Sequence, residues 1–238
     1  MKRYPKDVEI GFELEFGHDI PKQDVIQIIS DKFPNIAWGN GKHKFNLVND
    51  GSVWTKRKRD SELITPAWSA REAVDNLKIL FDTMREMDTT TDKTTGIHIN
   101  IGWKDAGEVD NISPLKVLVY SNEEKWLKHF DRENNQWCRA YQIPVSTAAS
   151  RIIYNDNFVD RIENVIYNLG NTNRRFIDFG KCYYGYVEFR GIGGANYHKK
   201  YKSVVAALDN FVYALDISRY EDLPDYRRKL KSYMLGVL

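Results

Sequence analysis

Val8, Ile10, Phe12, Leu14 and Phe16 alternate with Glu9, Gly11, Glu13 and Glu15. A period of two over nine residues is the mark of a strand with one buried face. The same alternation returns in Gly96–Trp103 and in Tyr184–Arg190. In all three segments the apolar set (Phe12, Leu14, Phe16; Ile97, Ile99, Ile101; Val187, Phe189) is bound for a core. The opposite set pairs Glu13 with Glu15, His98 with Asn100, and Glu188 with Arg190. If the three strands share a sheet, one face gathers three carboxylates, an imidazole and a guanidinium, which is the chemistry of a cation and phosphate site.

The rest of the chain supplies what such a sheet needs. Pro21 suits the first turn of a helix carrying Val25, Ile26, Ile28, Ile29 and Phe33. Phe45–Val48 and Ser52–Trp54 flank Asn49-Asp50-Gly51, a hairpin turn signal. Glu62–Thr65 reads as a strand ended by Pro66. Ser69 and Glu72 form a capping box for a helix reaching about Met87, with Val74, Leu77, Leu80, Phe81 and Met84 as its buried stripe. Pro114 to about Phe130, Phe158–Leu169, Tyr201–Leu215 and Asp225–Leu235 read as helices. Arg175–Phe179 and Tyr184–Arg190 read as strands joined through Gly180 and Lys181. Gly191-Ile192-Gly193-Gly194 reads as a mobile or close-approach segment, and residues 131–150 lack a period and read as a loop or lid-like insert. Strands and helices mix without regular βαβ alternation, so the fold class is α+β with a mainly antiparallel sheet. No repeat, linker or low-complexity tract divides the chain, and residues 1–238 read as a single domain.

Composition excludes several classes. The 35 basic and 33 acidic residues nearly balance, which is not the footprint of a dedicated nucleic-acid binder. The local run Lys56-Arg57-Lys58-Arg59 is either a solvated loop or a patch that meets an anionic partner. Two cysteines, Cys138 and Cys182, make no disulfide framework or Cys-rich zinc site. No apolar signal region or 18-residue apolar run is present, so the expectation is a cytoplasmic protein without a membrane partner.

Each candidate residue also has an ordinary structural explanation. Glu13 and Glu15 are either the wet face of a strand or a ligand pair for a divalent cation. His98 is either a satisfied structural histidine or a metal ligand. Glu188 and Arg190 are either a cross-strand ion pair or a metal ligand beside a phosphate clamp. Asp50 sits in a plain Asp-Gly turn, and Glu62 alone carries little information.

Order and spacing say more than any one residue. The succession E-x-E, D-G-S, E-L-I-T-P, G-I-H-I-N and E-F-R-G, from Gly11 to Gly191, resembles the carboxylate–amine ligases of the glutamine synthetase and γ-glutamylcysteine synthetase fold. It is most similar to their compact amidoligase branch, common in phages and bacteria. The resemblance implies a curved antiparallel sheet forming a funnel, with helices on its outer face, that holds ATP with Mg²⁺ or Mn²⁺. It implies that Glu13, His98 and Glu188 ligate a metal bridging the phosphates, that Glu15 and Glu62 ligate a metal nearer the acceptor carboxylate, and that Arg190 clamps the transferring phosphoryl group. Asp50 and Ser52 match the family's turn near the acceptor or a metal, and Arg174 or Arg175 adds a second positive charge. Glu15, Glu62 and Asp50 are the candidate bases. Many relatives carry a second His where Asn100 stands, so Asn100 is expected on nucleotide or substrate.

The implied activity is ATP-dependent amide or isopeptide formation through an acyl phosphate, on small-molecule or peptide carboxylates and amines. A glutamine amidotransferase-like partner fits that role, as does the host cytoplasm for a phage-encoded chain. The alternatives are another metal-phosphate enzyme, such as a guanidino kinase or a two-metal nuclease or phosphodiesterase, and a non-catalytic phage accessory protein.

Overall fold

The computed structural model describes residues 4–152, 158–170, 174–221 and 223–235. The alternating segments are strands: β1 (Val8–His18), β5 (Gly96–Trp103) and β7 (Tyr186–Gly193). With β2 (Asn46–Asn49), β3 (Arg59–Ile64) and β6 (Ile177–Asp178) they form one sheet in the order β2-β3-β1-β5-β7-β6, and β4 (Trp68–Ser69) pairs with the start of β1. Every pairing is antiparallel. The fold is therefore α+β, as the mixed pattern of elements implies.

One face of the sheet makes the core. Phe12, Leu14, Phe16, Ile97, Ile99, Ile101, Val187 and Phe189 are fully buried. Two long helices, α2 (Ala70–Glu86) and α7 (Tyr201–Ser218), contribute the opposing apolar stripes. Phe189 of β7 stacks on Phe211 of α7 with ring centroids 4.3 Å apart. α1 (Lys22–Lys32) lies beside α2 and buries Val25 and Ile29, with Pro21 just outside its first turn. α2 begins at the expected reciprocal cap: Ser69 accepts from the Glu72 N–H while the Glu72 carboxylate accepts from the Ser69 N–H. No helix among the described residues is long and apolar enough to cross a membrane.

Four local expectations need correction. The Asn49-Asp50-Gly51 turn does not join β2 to a strand at Ser52–Trp54. β2 pairs with β3, Asn49 opposite Ser61, and residues 50–58 form an irregular loop between them. The helix read over Pro114 to about Phe130 is two helices, α3 (Pro114–Ser121) and α4 (Glu123–His129). Asn122 between them adopts a left-handed φ of 53°, a conformation that Asn tolerates better than most residues. Its amide donates back to Tyr120 O at 3.3 Å. Within residues 131–150, expected to be irregular, residues 142–150 belong to α5 (Gln142–Ile152), packed against α6 (Phe158–Gly170) and α8 (Tyr226–Leu235). Of the strand read over Arg175–Phe179, Ile177–Asp178 pairs with β7, Arg175 makes an isolated bridge to Arg139, and Phe179–Tyr184 winds into a 3₁₀ helix.

α5 starts on a buried carboxylate. Glu123 accepts from the backbone N–H groups of Tyr141 and Gln142 at 2.8–3.0 Å and from the Tyr233 hydroxyl at 2.8 Å. These donors are unspent at a helix N-terminus, and an anion suits them. Burial nevertheless pushes the carboxyl up to about 7. A folded-state value above the ordinary one means that its contribution is full below the usual carboxylate range and is lost as pH rises through about 7. The stability advantage of the wild type over Glu123→Gln is expected to shrink by up to about 3 kcal/mol between pH 5 and pH 8, read by urea denaturation at both values. A pH-independent difference would contradict this.

Candidate active site

The face of the sheet away from the core carries the charged residues. Register places Glu13 opposite His98, Glu15 opposite Glu62, and Asn100 opposite Glu188. Four neighbouring strands thus contribute to one patch. Its side chains other than Asn100 line a cavity of about 300 Å³ together with Asn49, Asp50, Ser52, Lys181 and Arg190.

His98 is the hub. Its Nδ1 lies 2.9 Å from Glu13 Oε2, 3.3 Å from Glu188 Oε1 and 4.0 Å from Glu62 Oε1, and its Nε2 lies 3.4 Å from Glu15 Oε1. Asn100 donates its amide N–H to Glu13 Oε1 at 2.8 Å. The Gly96 backbone N–H donates to Glu15, and the Tyr197 hydroxyl donates to the Glu15 carbonyl at 2.8 Å. Asp50 accepts from the N–H and hydroxyl of Ser52 at 2.8 and 2.7 Å. Two sets of ligand atoms converge within 4.8 Å of one another: Glu13, Glu62 and His98, and Glu15, Asp50 and Glu62.

The crowding distorts ionisation. Burial alone favours a neutral His98, but the Glu13 hydrogen bond and the charges of Glu15 and Glu188 raise it to about 9. Burial works against the Glu13 carboxylate too, yet hydrogen bonds from His98 and Asn100 hold it at about 2. Glu62 has no such donor, and burial with the Glu13 and Glu15 charges drives it up to about 8. Burial and Glu13 likewise raise Glu188, with His98 opposing. A carboxylate set that cannot be fully ionised at neutral pH has the donor chemistry a hard divalent cation needs.

A β-bulge lies beside Arg190. Ile97 faces Ile192 and Ile99 faces Phe189, so Arg190 and Gly191 together oppose His98. Arg190 faces the cluster by the same alternation as Glu188, and the extra residue returns Ile192 to the core. Arg190 Nε is buried without a hydrogen-bond partner, 3.4 Å from Glu188 Oε1. Gly191 is a close-approach position: a Cβ there would fall 1.8 Å from the Phe176 ring. Gly193, at φ 123°, also packs closely: a Cβ there would fall 2.7 Å from Gly96 Cα.

Of the residues singled out from the sequence, Glu13, Glu15, Asp50, Ser52, Glu62, His98, Glu188 and Arg190 share this cavity. Asn100 touches it through Glu13 and lines a second cavity of about 380 Å³, which includes Glu13, Lys42, Gly102 and Tyr186. Arg174 and Arg175 do not line the cluster. Arg174 sits over the Trp137 ring at 4.9 Å, and Arg175 over Tyr141 with a hydrogen bond to Ala140 O. The additional positive charge is Lys181, 3.5 Å from Glu188 Oε2. It was hidden in what reads as a plain turn. Arg132 was hidden as well, in the stretch without a period. It is buried behind Gly96, donating to Thr95 O and Ile192 O at 2.7 and 3.0 Å.

The sequence family described as "Putative amidoligase enzyme" matches residues 6–205, which takes in every strand of the sheet. No curated protein matches the chain.

The bulge yields a test of how the site is held. Gly191→Ala forces the Phe176 ring aside and is expected to cost about 1–3 kcal/mol of stability, measured by urea denaturation. An unchanged midpoint would show that the strand and ring shift freely.

Proposed function

Because the chain belongs to the amidoligase family, we propose that it joins a carboxylate to an amine with ATP as the energy source. The observation that carries this reading is the convergence of Glu13, Glu15, Glu62, Glu188 and His98 around one small cavity, with the Arg190 guanidinium at its wall, its Nε buried without a hydrogen bond. Such a set accommodates Mg²⁺ or Mn²⁺ and presents a planar fork to a phosphate.

In this reading Glu13, His98 and Glu188 would hold a cation beside the ATP phosphates, His98 giving up the proton that its carboxylate neighbours keep on it, and Glu15 and Glu62, with Asp50 close by, would hold one on the acceptor side. Such cations would supply positive charge to phosphate oxygens and a carboxylate that the acidic wall otherwise repels. Arg190 receives the γ-phosphoryl group as negative charge spreads over its oxygens during transfer. The acceptor carboxylate attacks the γ-phosphorus and ADP leaves. The amine then attacks the acyl carbon and inorganic phosphate leaves. Glu15, Glu62 and Asp50 are the groups in reach to take the ammonium proton. Lys181 beside Glu188 adds positive charge on the phosphate side.

The second cavity suits the nucleoside. It starts at Glu13 and runs past Asn100, whose Oδ1 is buried without a donor. A phosphate offers no donor to that oxygen, whereas a ribose hydroxyl or a nucleobase amine does. Asn100 thereby replaces a ligand-type side chain with one that reads the nucleotide while its amide holds Glu13.

Two measurements test the proposal. Calorimetry should show ATP binding that requires Mg²⁺ or Mn²⁺ and weakens about tenfold or more in Glu13→Gln. Binding that ignores both metal and variant would remove the site from the reading. Glu188→Gln and Arg190→Ala are each expected to lower ADP release by about 10²-fold or more with the fold intact. Wild-type turnover in either variant would overturn the assignment.

A further inference from the structure

Residues 50–58 are a long irregular loop, yet they are tightly built. Arg57 donates to Asp19 at 2.8 Å, to the Asp88 carboxylate and carbonyl at 2.7 and 2.8 Å, and to Thr90 Oγ1 at 2.7 Å. The Trp54 N–H donates to Thr94 Oγ1 at 3.0 Å, and Val53 is buried. Thr55 packs directly on β1: a Cβ on Gly17 would fall 1.8 Å from Thr55 Oγ1. A loop held at this many points presents its outward side chains in fixed positions, and long structured loops of this kind are usually functional.

Those outward side chains are an indole and cations. Trp54 is 76% exposed, and its ring N–H is already given to Gly51 O at 3.1 Å, which leaves the ring faces for contact. Beside it lies an open groove of about 670 Å³ lined by Lys22, Asn49, Asp50, Lys58 and Arg59. Lys22 and Lys58 make no ion pair among the described residues, and Arg59 donates only to the Asp19 carbonyl. The groove's two acids accept from neutral hydroxyls, Asp50 from Ser52 and Asp60 from Thr55, and keep their charge, so its three cations outnumber them. The groove reaches the cluster through Asn49 and Asp50, which line both cavities. It meets the cluster on the Glu15–Asp50–Glu62 side, away from the Asn100 cavity.

We propose that this groove binds the acceptor, and that the acceptor is an acidic peptide segment. One carboxylate of the segment enters the cluster past Asp50. Its other carboxylates meet Lys22, Lys58 and Arg59, and an apolar side chain or peptide plane lies on Trp54. The proposal rests on the ligase reading above for the fate of the entering carboxylate, which is also why a peptide carboxylate is favoured over a phosphate polymer. Free lysines opposite a carboxylate-rich chain give orientation, and an exposed aromatic supplies contact area.

The test is fluorescence anisotropy of a labelled glutamate-rich peptide containing one leucine, with Mg²⁺ and without ATP. The proteins are wild type, Trp54→Ala, and the double variant Lys22→Glu with Lys58→Glu, each checked for an unchanged melting midpoint. Wild type is expected to bind in a salt-sensitive manner, with each variant about tenfold or more weaker and MgATP binding unaltered. Equal binding by the variants, no binding by wild type, or equally tight binding of single-stranded DNA would each overturn the proposal. MgATP binding, measured separately, reports on the ligase reading. Its loss with peptide binding intact would strike that reading and leave the groove standing.

Discussion

Glu13, Glu15, Glu62 and Glu188 lie close enough for their repulsion to demand an answer from the surrounding sheet, and most of the site's architecture is that answer. His98 stands among them within 4.0 Å of all four. Asn100 and the Gly96 backbone donate to individual carboxylates, and Arg190 and Lys181 flank Glu188. Carboxylates buried at this spacing cost several kcal/mol unless compensated. The protein accepts that cost at one place, on the face opposite a fully apolar layer. The arrangement depends on strand parity: Glu13, Glu15, His98 and Glu188 each stand between two core residues, so the packing of Phe12, Leu14, Ile97 and Ile99 fixes where most of the charges go.

The cluster divides two unlike neighbourhoods. On one side Asn100 opens onto a cavity floored by glycines, with a buried oxygen awaiting a donor. On the other, Asp50 opens onto a groove bordered by cations and Trp54. A reaction between a nucleotide and a second, anionic molecule needs such asymmetry, because each partner has to arrive from its own side and meet only at the centre.

The period-2 signal made the sheet's middle strands and their inward charges legible in the sequence, since a strand's side-chain direction is set by counting. The Ser69–Glu72 cap was legible for the same reason: its partners are three residues apart. What escaped was decided by tertiary contact. Nothing local distinguishes Lys181 from a turn lysine, and it takes the pairing of β6 with β7, Asp178 opposite Glu188, to set it beside Glu188. The break at Asn122 turns on one left-handed residue inside an otherwise helical pattern. Arg174 and Arg175 looked available for the site because they precede a strand, but Trp137 and Tyr141 hold them elsewhere.

The sheet's borders are short: β2 has four residues at one edge and β6 has two at the other. Strand addition needs a long, flat row of free backbone donors and acceptors, and neither border offers one. Copies of this chain are therefore poorly equipped to polymerise edge to edge.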